Sequence, residues 1–253
     1  MADILKQIYK PSMTVGQVYA KVYGSAALPL PIGNVLELGV EHSEDVQTQE
    51  DMTALGGGIH AEVRRVTEVK LTAKLADLNV VNMSRAIFGT ASATTAGTAT
   101  DEGHTATLGG LIRLAHIQPT AVTIKEGATS GAATAVTMAG NYEVRPEGIY
   151  ILPDAADITD SDKLWVTYTY GAYAVIEALT TKSVELQLIF GGLNEADGGK
   201  PVVVDIFRAS QGITKNLALI NKGFGALDIE GSILIDPTKT GTGISRYYKT
   251  SMA

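Results

Sequence analysis

The sequence predicts a mainly β fold with one short α-helix at about residues 77–88. Three observations carry that reading. Apolar and polar residues alternate at a period of two in most of the apolar-rich runs, which puts one set on each face of a sheet. The chain is rich in turn-forming glycine and poor in aromatics, with 27 Gly and 6% aromatic residues. Helical spacing of apolar residues is confined to one stretch, Asp77 onward.

The totals set limits. A chain of 253 residues that is 45% hydrophobic can bury ~70–75% of its unfolded surface, as one large domain or two small ones. There is no cysteine, which removes disulfides, thiolate metal sites and thiol nucleophiles together and fits assembly in a cytoplasm. MADILKQIYKPS lacks the apolar core of a signal peptide, and no apolar run approaches the ~20 residues of a membrane helix. A formal net charge of -7 argues against tight phosphate-backbone binding, which relies on Lys and Arg.

Residues 1–31 read as an N-terminal arm containing a short strand from Gln17 to Tyr23, with Pro11, Pro29 and Pro31 keeping its flanks irregular. A long strand follows from Asn34 to about Gln49. Leu36, Leu38 and Val40 alternate with Glu37, Gly39 and Glu41, and beyond Glu41 the chain is polar on both faces. Gly56-Gly57-Gly58 makes a turn. The returning strand runs from Ile59 to Leu75, with Val69, Leu71, Ala73 and Leu75 on one face and Glu68, Lys70, Thr72 and Lys74 on the other. The pair is a hairpin too long for its own core, with its tip at residues 50–58.

Asp77 is the expected N-cap of the helix. Val80, Met83 and Ile87 recur at helical spacing, and Gly89 is placed to end it. Residues 90–103 are small and polar and are expected to be a mobile loop. Leu108 to Ile117 is expected as a strand. Residues 118–180 hold short strands (AVTIKE, TAVTM, NYEV, GIYIL, KLWVTYTY, AYAVIEA) separated by turns at Gly127, Gly140, Pro146-Glu147-Gly148 and Asp160 to Asp162. They form a β-rich elaboration or a small subdomain; the lack of a linker favours an elaboration within a single domain over residues 1–253.

Residues 183–238 organise the chain. Val184, Leu186, Leu188 and Phe190 share one parity. Leu227, Ile229, Ile233 and Ile235 alternate with Asp228, Glu230 and Ser232. Pro201 to Arg208 is apolar almost throughout, so both of its faces are expected to touch protein. Residues 239–253 are a last strand or an arm, with Arg246 and Lys249 flanking Tyr247 and Tyr248.

This organisation carries a resemblance. A strand through Phe190, an Asn194-containing loop, Lys200-Pro201-Val202-Val203-Val204-Asp205, then Phe207-Arg208, Phe224-Gly225-Ala226-Leu227-Asp228-Ile229-Glu230-Gly231 and a closing Asp236-Pro237-Thr238-Lys239 resemble the C-terminal half of tail tube proteins of long-tailed, siphovirus-like bacteriophages. The earlier order of strand, strand and one short helix ending in Gly resembles their N-terminal half. The resemblance implies a tail-tube-type β-sandwich or barrel, a structural virion protein and no enzyme. It implies hexameric rings stacked into a hollow tail tube, assembled in the host cytoplasm. Tape-measure protein, tail terminator and tip proteins would be its partners. Genomic DNA would pass through the lumen without specific binding, and no membrane or cofactor is involved. On this reading Glu37, Glu41, Glu185, Asp205, Asp228 and Glu230 include the lumen-facing set, repelling DNA phosphates if Lys and Arg are scarce there; Lys70 and Lys74 are the awkward residues. Glu50, Asp51, Met52, Leu55, Gly56, Gly57 and Gly58 are the candidate ring-to-ring contact.

The sequence carries neither a phosphate-binding loop nor a hydrolase nucleophile elbow. Gly198-Gly199-Lys200 is followed by Pro201, which lacks the donor and the hydroxyl of a phosphate loop. No G-x-S-x-G elbow occurs. A hairpin symmetric about Asp51 would bring His42 opposite His60, but zinc needs further ligands, and Glu44 would serve only in an extended arrangement. Asp154, Asp157, Asp160 and Asp162 match no calcium-loop spacing and read as turn residues. Two alternatives stay open: a type VI secretion-like tube protein, and a carbohydrate-binding or adhesin-like β-sandwich using Tyr142, Tyr150, Trp165, Tyr168 and Tyr170.

Overall fold

A computed structural model describes residues 11–53 and 55–253; the first part of the expected arm, residues 1–10, lies outside them. In chain order the strands begin with β1 (Thr14–Val22), β2 (Leu30–Pro31), β3 (Val35–Glu50) and β4 (Ile59–Leu75), followed by α1 (Val80–Ala86). Then come β5 (Thr90–Thr94), β6 (Gly97–Thr105), β7 (Leu111–Arg113), β8 (Thr120–Glu126), β9 (Thr134–Val136), β10 (Tyr142–Arg145), β11 (Gly148–Ile151), β12 (Lys163–Tyr170) and β13 (Tyr173–Glu177). The chain closes with β14 (Glu185–Asn194), β15 (Lys200–Gln211), β16 (Leu227–Ile233) and β17 (Tyr248–Met252). The fold is mainly β, as the alternation requires.

The chain divides into two compact units. The first takes the described residues up to Ala91 together with Ile176–Ala253; the second is Ser92–Val175. The first is built on an eight-stranded sheet in the order β2-β1-β14-β15-β16-β4-β3, with β17 also paired to β15. One face is apolar: Ala20, Leu71, Leu186, Leu188, Ile206, Ala209 and Ile233 are buried together. Leu75, Leu227 and Ala86 of α1 form a second cluster. β15 is the hub. It pairs with β14 along one edge, and with β17 and then β16 along the other, which is why its run is apolar on both faces. Residues 14–22 therefore belong to the sheet rather than to an arm, and the C-terminal residues form a strand rather than an arm. Asn194 fastens the start of the described chain: its Oδ1 accepts from the Met13 N–H at 2.9 Å and its Nδ2 donates to the Pro11 carbonyl at 3.1 Å.

The helix is shorter than its apolar spacing predicts. Asn79, not Asp77, caps it, its Oδ1 accepting from the Asn82 N–H at 2.9 Å. The Asp77 carboxylate is engaged elsewhere, accepting from the Asn34 N–H at 2.9 Å. The buried face carries Asn82 and Ala86 rather than the Val80-Met83-Ile87 stripe. Asn82 earns that place by donating to the carbonyls of Ile32 at 2.7 Å and Asp77 at 3.0 Å. The left-handed residue that ends the helix is Phe88, at φ 50°, with Gly89 N–H returning to the Ser84 carbonyl.

The second unit begins earlier than residue 118. The small polar stretch expected to be mobile is strand: β5 pairs with β13, and β6 pairs along β12. Its Thr and Ala residues keep β-compatible backbones, and its partners β12 and β13 lie roughly 60 to 85 residues ahead, so local composition could not announce them. The unit holds a four-stranded sheet, β6-β12-β8-β9, and a three-stranded one, β10-β11-β7. The run expected from Leu108 to Ile117 is strand only over the three residues of β7. The core comprises Leu114, Ile124, Ile149, Ile151, Ile158, Leu164, Val166 and Tyr168. Gly148, at φ 152°, lets β11 press against β7; a Cβ there would sit 2.0 Å from the Ile112 carbonyl oxygen. The Asp residues of the 154–162 segment act as turn builders. Asp157 accepts from Asn141 Nδ2 at 2.9 Å, Asp160 from the Leu108 N–H at 2.8 Å and Asp162 from the Thr159 N–H at 2.6 Å.

Candidate functional site

Residues opposed across antiparallel strands project to the same face, so the pairing places each polar side chain of the large sheet. Asp228, Lys74 and Glu37 form one row, and Glu230, Thr72 and Gly39 the next. Glu185, Ser210, Ser232, Lys70 and Glu41 form a third. Tyr19, Ile189, Asp205 and Lys249 form a fourth, farther along β14 and β15. Glu37, Glu41, Glu185, Asp205, Asp228 and Glu230 project to one face of the sheet, opposite the apolar core.

That face is not the purely acidic wall the alternation of β3 and β16 predicts. The strand between those two is β4, whose polar positions carry Lys70 and Lys74, so cations interleave the acids. Ion pairs compensate others. Arg208 grips Glu185 with Nε and Nη2, both at 2.7 Å. Lys249 lies 3.4 Å from Asp205, and Lys215 reaches Glu230 at 2.5 Å. The Arg208 pair holds the Glu185 carboxyl below the usual carboxylate range.

The β3–β4 hairpin outruns this sheet. Pairing continues from Glu44 opposite Val66 to Glu50 opposite Ile59, roughly 20 Å of ribbon, and residues 44–50 and 59–67 are all exposed. The ribbon is braced internally: Arg64 donates to Glu44 across it at 2.6 Å and to Glu62 along its own strand at 2.5 Å. At the tip the Asp51 N–H donates to the Gly58 carbonyl at 2.7 Å. Gly56 and Gly57 take φ 102° and 60°, which explains the glycine run. Met52 and Leu55 are 84% and 107% exposed. The loop at the tip is too long for symmetry about Asp51, so His42 stands opposite Val69 rather than His60. His42 instead meets the Tyr248 hydroxyl through Nε2 at 3.1 Å.

A second exposed apolar surface escaped the sequence reading. The loop between β15 and β16 presents Leu219, Ile220 and Phe224, the last two at 95% and 106% exposure. The loop is anchored where the Thr214 N–H donates to the Ala86 carbonyl and the Gly212 N–H to the Glu230 carbonyl. Its charges are Lys215 and Lys222, with no acid between residues 212 and 226, whereas the hairpin tip carries Glu50 and Asp51. The available signal was a cluster of large apolar residues with no strand period, set between two strands that alternate cleanly.

Residues 11–251 match the family described as protein of unknown function UCP028589. The chain belongs to that family. No curated protein matches it. The matched span runs through both compact units and includes the hairpin and the exposed loop.

In this family member the second unit carries a hydrogen-bonded chain of its own. The Tyr168 hydroxyl donates to Glu102 Oε2 at 2.6 Å and meets His116 Nδ1 at 2.9 Å. Glu102 Oε1 accepts from the Ala115 N–H at 3.1 Å and contacts His104 Nε2 at 2.9 Å. His116 stacks on Tyr170 with ring centroids 3.5 Å apart. Burial, reinforced by Glu102, pushes the Tyr168 hydroxyl well above the usual tyrosine range. Burial also pushes Glu102 up, but its bonds from Tyr168, Ala115 and His104 outweigh that and leave it below its ordinary value. A depressed carboxyl adds stability above its unfolded pKa and loses it as pH falls through the folded one. Glu102→Gln is therefore expected to cost about 1.5–3 kcal/mol in urea unfolding at pH 7, with the difference from wild type shrinking once the pH drops below the ordinary glutamate value of 4.5. A gap of constant size from pH 7 to 3 would refute this role. Of the aromatics considered for sugar stacking, Tyr142 and Tyr168 are buried. Trp165 donates to the Gly127 carbonyl at 2.9 Å, and Arg145 covers the Tyr150 ring at 3.8 Å.

Proposed function

We propose that this protein is a structural subunit that polymerises, as rings stacked into a hollow tube of the bacteriophage tail type. The observation that carries the reading is the β3–β4 ribbon, exposed on both faces and tipped by bare apolar side chains. Such a ribbon has no reason to persist in a solitary molecule and acquires one against a second copy. The open edges of β3 and β17, each paired on one side only, support it, because ring closure removes free edges. The resemblance of the strand order to tail tube proteins supports the choice of a tube over other assemblies.

In this proposal six copies form a ring and the polar face of the large sheet lines the bore. The tip at residues 50–58 reaches the next ring, where the basic, apolar 212–226 loop is its natural counterpart. Interleaved Lys and acid side chains make the bore nearly balanced in charge. DNA and a tape-measure protein would then pass a surface that neither grips nor strongly repels phosphates, so the conduit works by being polar and self-paired rather than acid-lined. Negative-stain electron microscopy of the purified protein at tens of micromolar is the test. Rings or hollow tubes are expected, and a monodisperse monomer across the concentration range would overturn the proposal.

A further inference from the structure

The first compact unit contains a cleft apart from the hairpin, the exposed loop and the polar sheet face. It measures about 230 Å³ and is lined by Ser84 and Arg85 of α1, by Thr181 and Lys182 ahead of β14, by Leu186 and by Gln211 at the end of β15. Arg85 and Gln211 also border a smaller apolar pocket of about 50 Å³ beside it. No Asp or Glu lines either one.

Two donors in this cleft lack acceptors. Arg85 is half-buried, and burial pulls its guanidinium below the usual arginine range. Among the described residues it nevertheless has no ion-pair or hydrogen-bond partner for that group. Gln211 Nε2 is buried and has no acceptor. The carbonyls at the end of α1 are occupied by other donors: Ala86 by the Thr214 N–H at 2.8 Å, Ile87 by Leu179 at 3.1 Å and Phe88 by Thr181 at 2.9 Å. A desolvated guanidinium without a counter-charge is costly, and a buried amide donor left unmade adds to that cost. One ligand relieves both, an acceptor with negative charge and more than one oxygen.

We propose that this cleft binds a single oxyanion group, a carboxylate or a phosphate. Arg85 supplies the planar two-pronged contact, Gln211 Nε2 a further donor and Lys182 the cation at the mouth. The volume falls below the ~300–1,000 Å³ of pockets that enclose drug-sized ligands, so it takes one such group rather than a nucleotide. The group comes either from a free anion or from an acidic side chain of a second copy. This inference does not depend on tube formation.

Thermal unfolding in chloride, inorganic phosphate and succinate at matched ionic strength tests it. Wild type is expected to gain about 2–4 °C in at least one of the two oxyanions over chloride. Arg85→Met is expected to raise the melting temperature in chloride, because it removes a half-buried charge with no counter-charge, and to abolish the oxyanion-dependent gain. Since phosphate stabilises proteins generally, the difference between wild type and variant is the reading. An equal oxyanion gain in Arg85→Met overturns the proposal, as does no gain in wild type together with an unmoved oligomer distribution in Arg85→Met. If Arg85→Met does not fold, Lys182→Ala replaces it, with an expected several-fold rise in the half-saturating anion concentration; an unchanged value overturns the proposal. Sedimentation velocity separates the sources: a group supplied by a second copy makes Arg85→Met shift the oligomer distribution, whereas a free anion leaves it unmoved.

Discussion

Replacing residues 50–60 with Asn-Gly is expected to abolish the proposed tube formation while leaving the subunit folded. The replacement joins Gln49 to its partner Ala61 through a two-residue turn whose twist suits an antiparallel pair. It removes Met52, Leu55 and Ile59, which touch no core cluster of the described residues. It leaves the Glu44–Arg64–Glu62 brace in place. Little apolar burial is lost, so the melting temperature should move by less than about 2 °C. Soluble subunits or single rings should replace long polymers in negative stain. Long tubes from the shortened protein would remove the ribbon from the assembly mechanism, and a large loss of stability would show that the tip is structural instead.

The second large effect is expected at Ile206, which is 1% exposed. It lies in β15 with Leu188 opposed on one side and Tyr248 on the other. Truncation to Ala leaves a cavity that neither neighbour can collapse into, since both are held by ladder hydrogen bonds. The expected cost is about 2–5 kcal/mol, a fall in melting temperature on the order of 10 °C. The C-terminal strand should loosen as well, because Tyr248 loses the side chain opposed to it on β15, and limited proteolysis should release residues 248–253 faster than in wild type. A loss under about 1 kcal/mol would mean that β15 is not the hub its two-sided pairing implies.

Much of this fold was legible in the residues alone. The alternation of Val69, Leu71, Ala73 and Leu75 with Glu68, Lys70, Thr72 and Lys74 assigns a strand and both of its faces, because the pleat has a period of two. The same rule locates β14, β16 and the overlong hairpin. The helix was legible as an element, but not at its ends. Asp77 and Asn79 are both good caps, and the choice fell to Asn79 once Asn34, 43 residues away in sequence, had claimed the Asp77 carboxylate. Strands β5 and β6 were invisible for a related reason: Thr, Ala and Gly carry no periodic apolar signal, and only pairing with β12 and β13 makes them strands.

The sequence by itself determined which residues can occupy a sheet, which face of each strand is apolar, and that the hairpin exceeds its core. These are local properties, set by backbone geometry and side-chain period. Only the tertiary structure decided which strands are neighbours, and so which charges meet. It set β4 between β3 and β16, bringing Lys74 between Glu37 and Asp228, and it closed a cleft around Arg85 with no acid inside. Such outcomes depend on long-range register, where a shift of one residue reverses every face, and no short stretch of sequence carries that information.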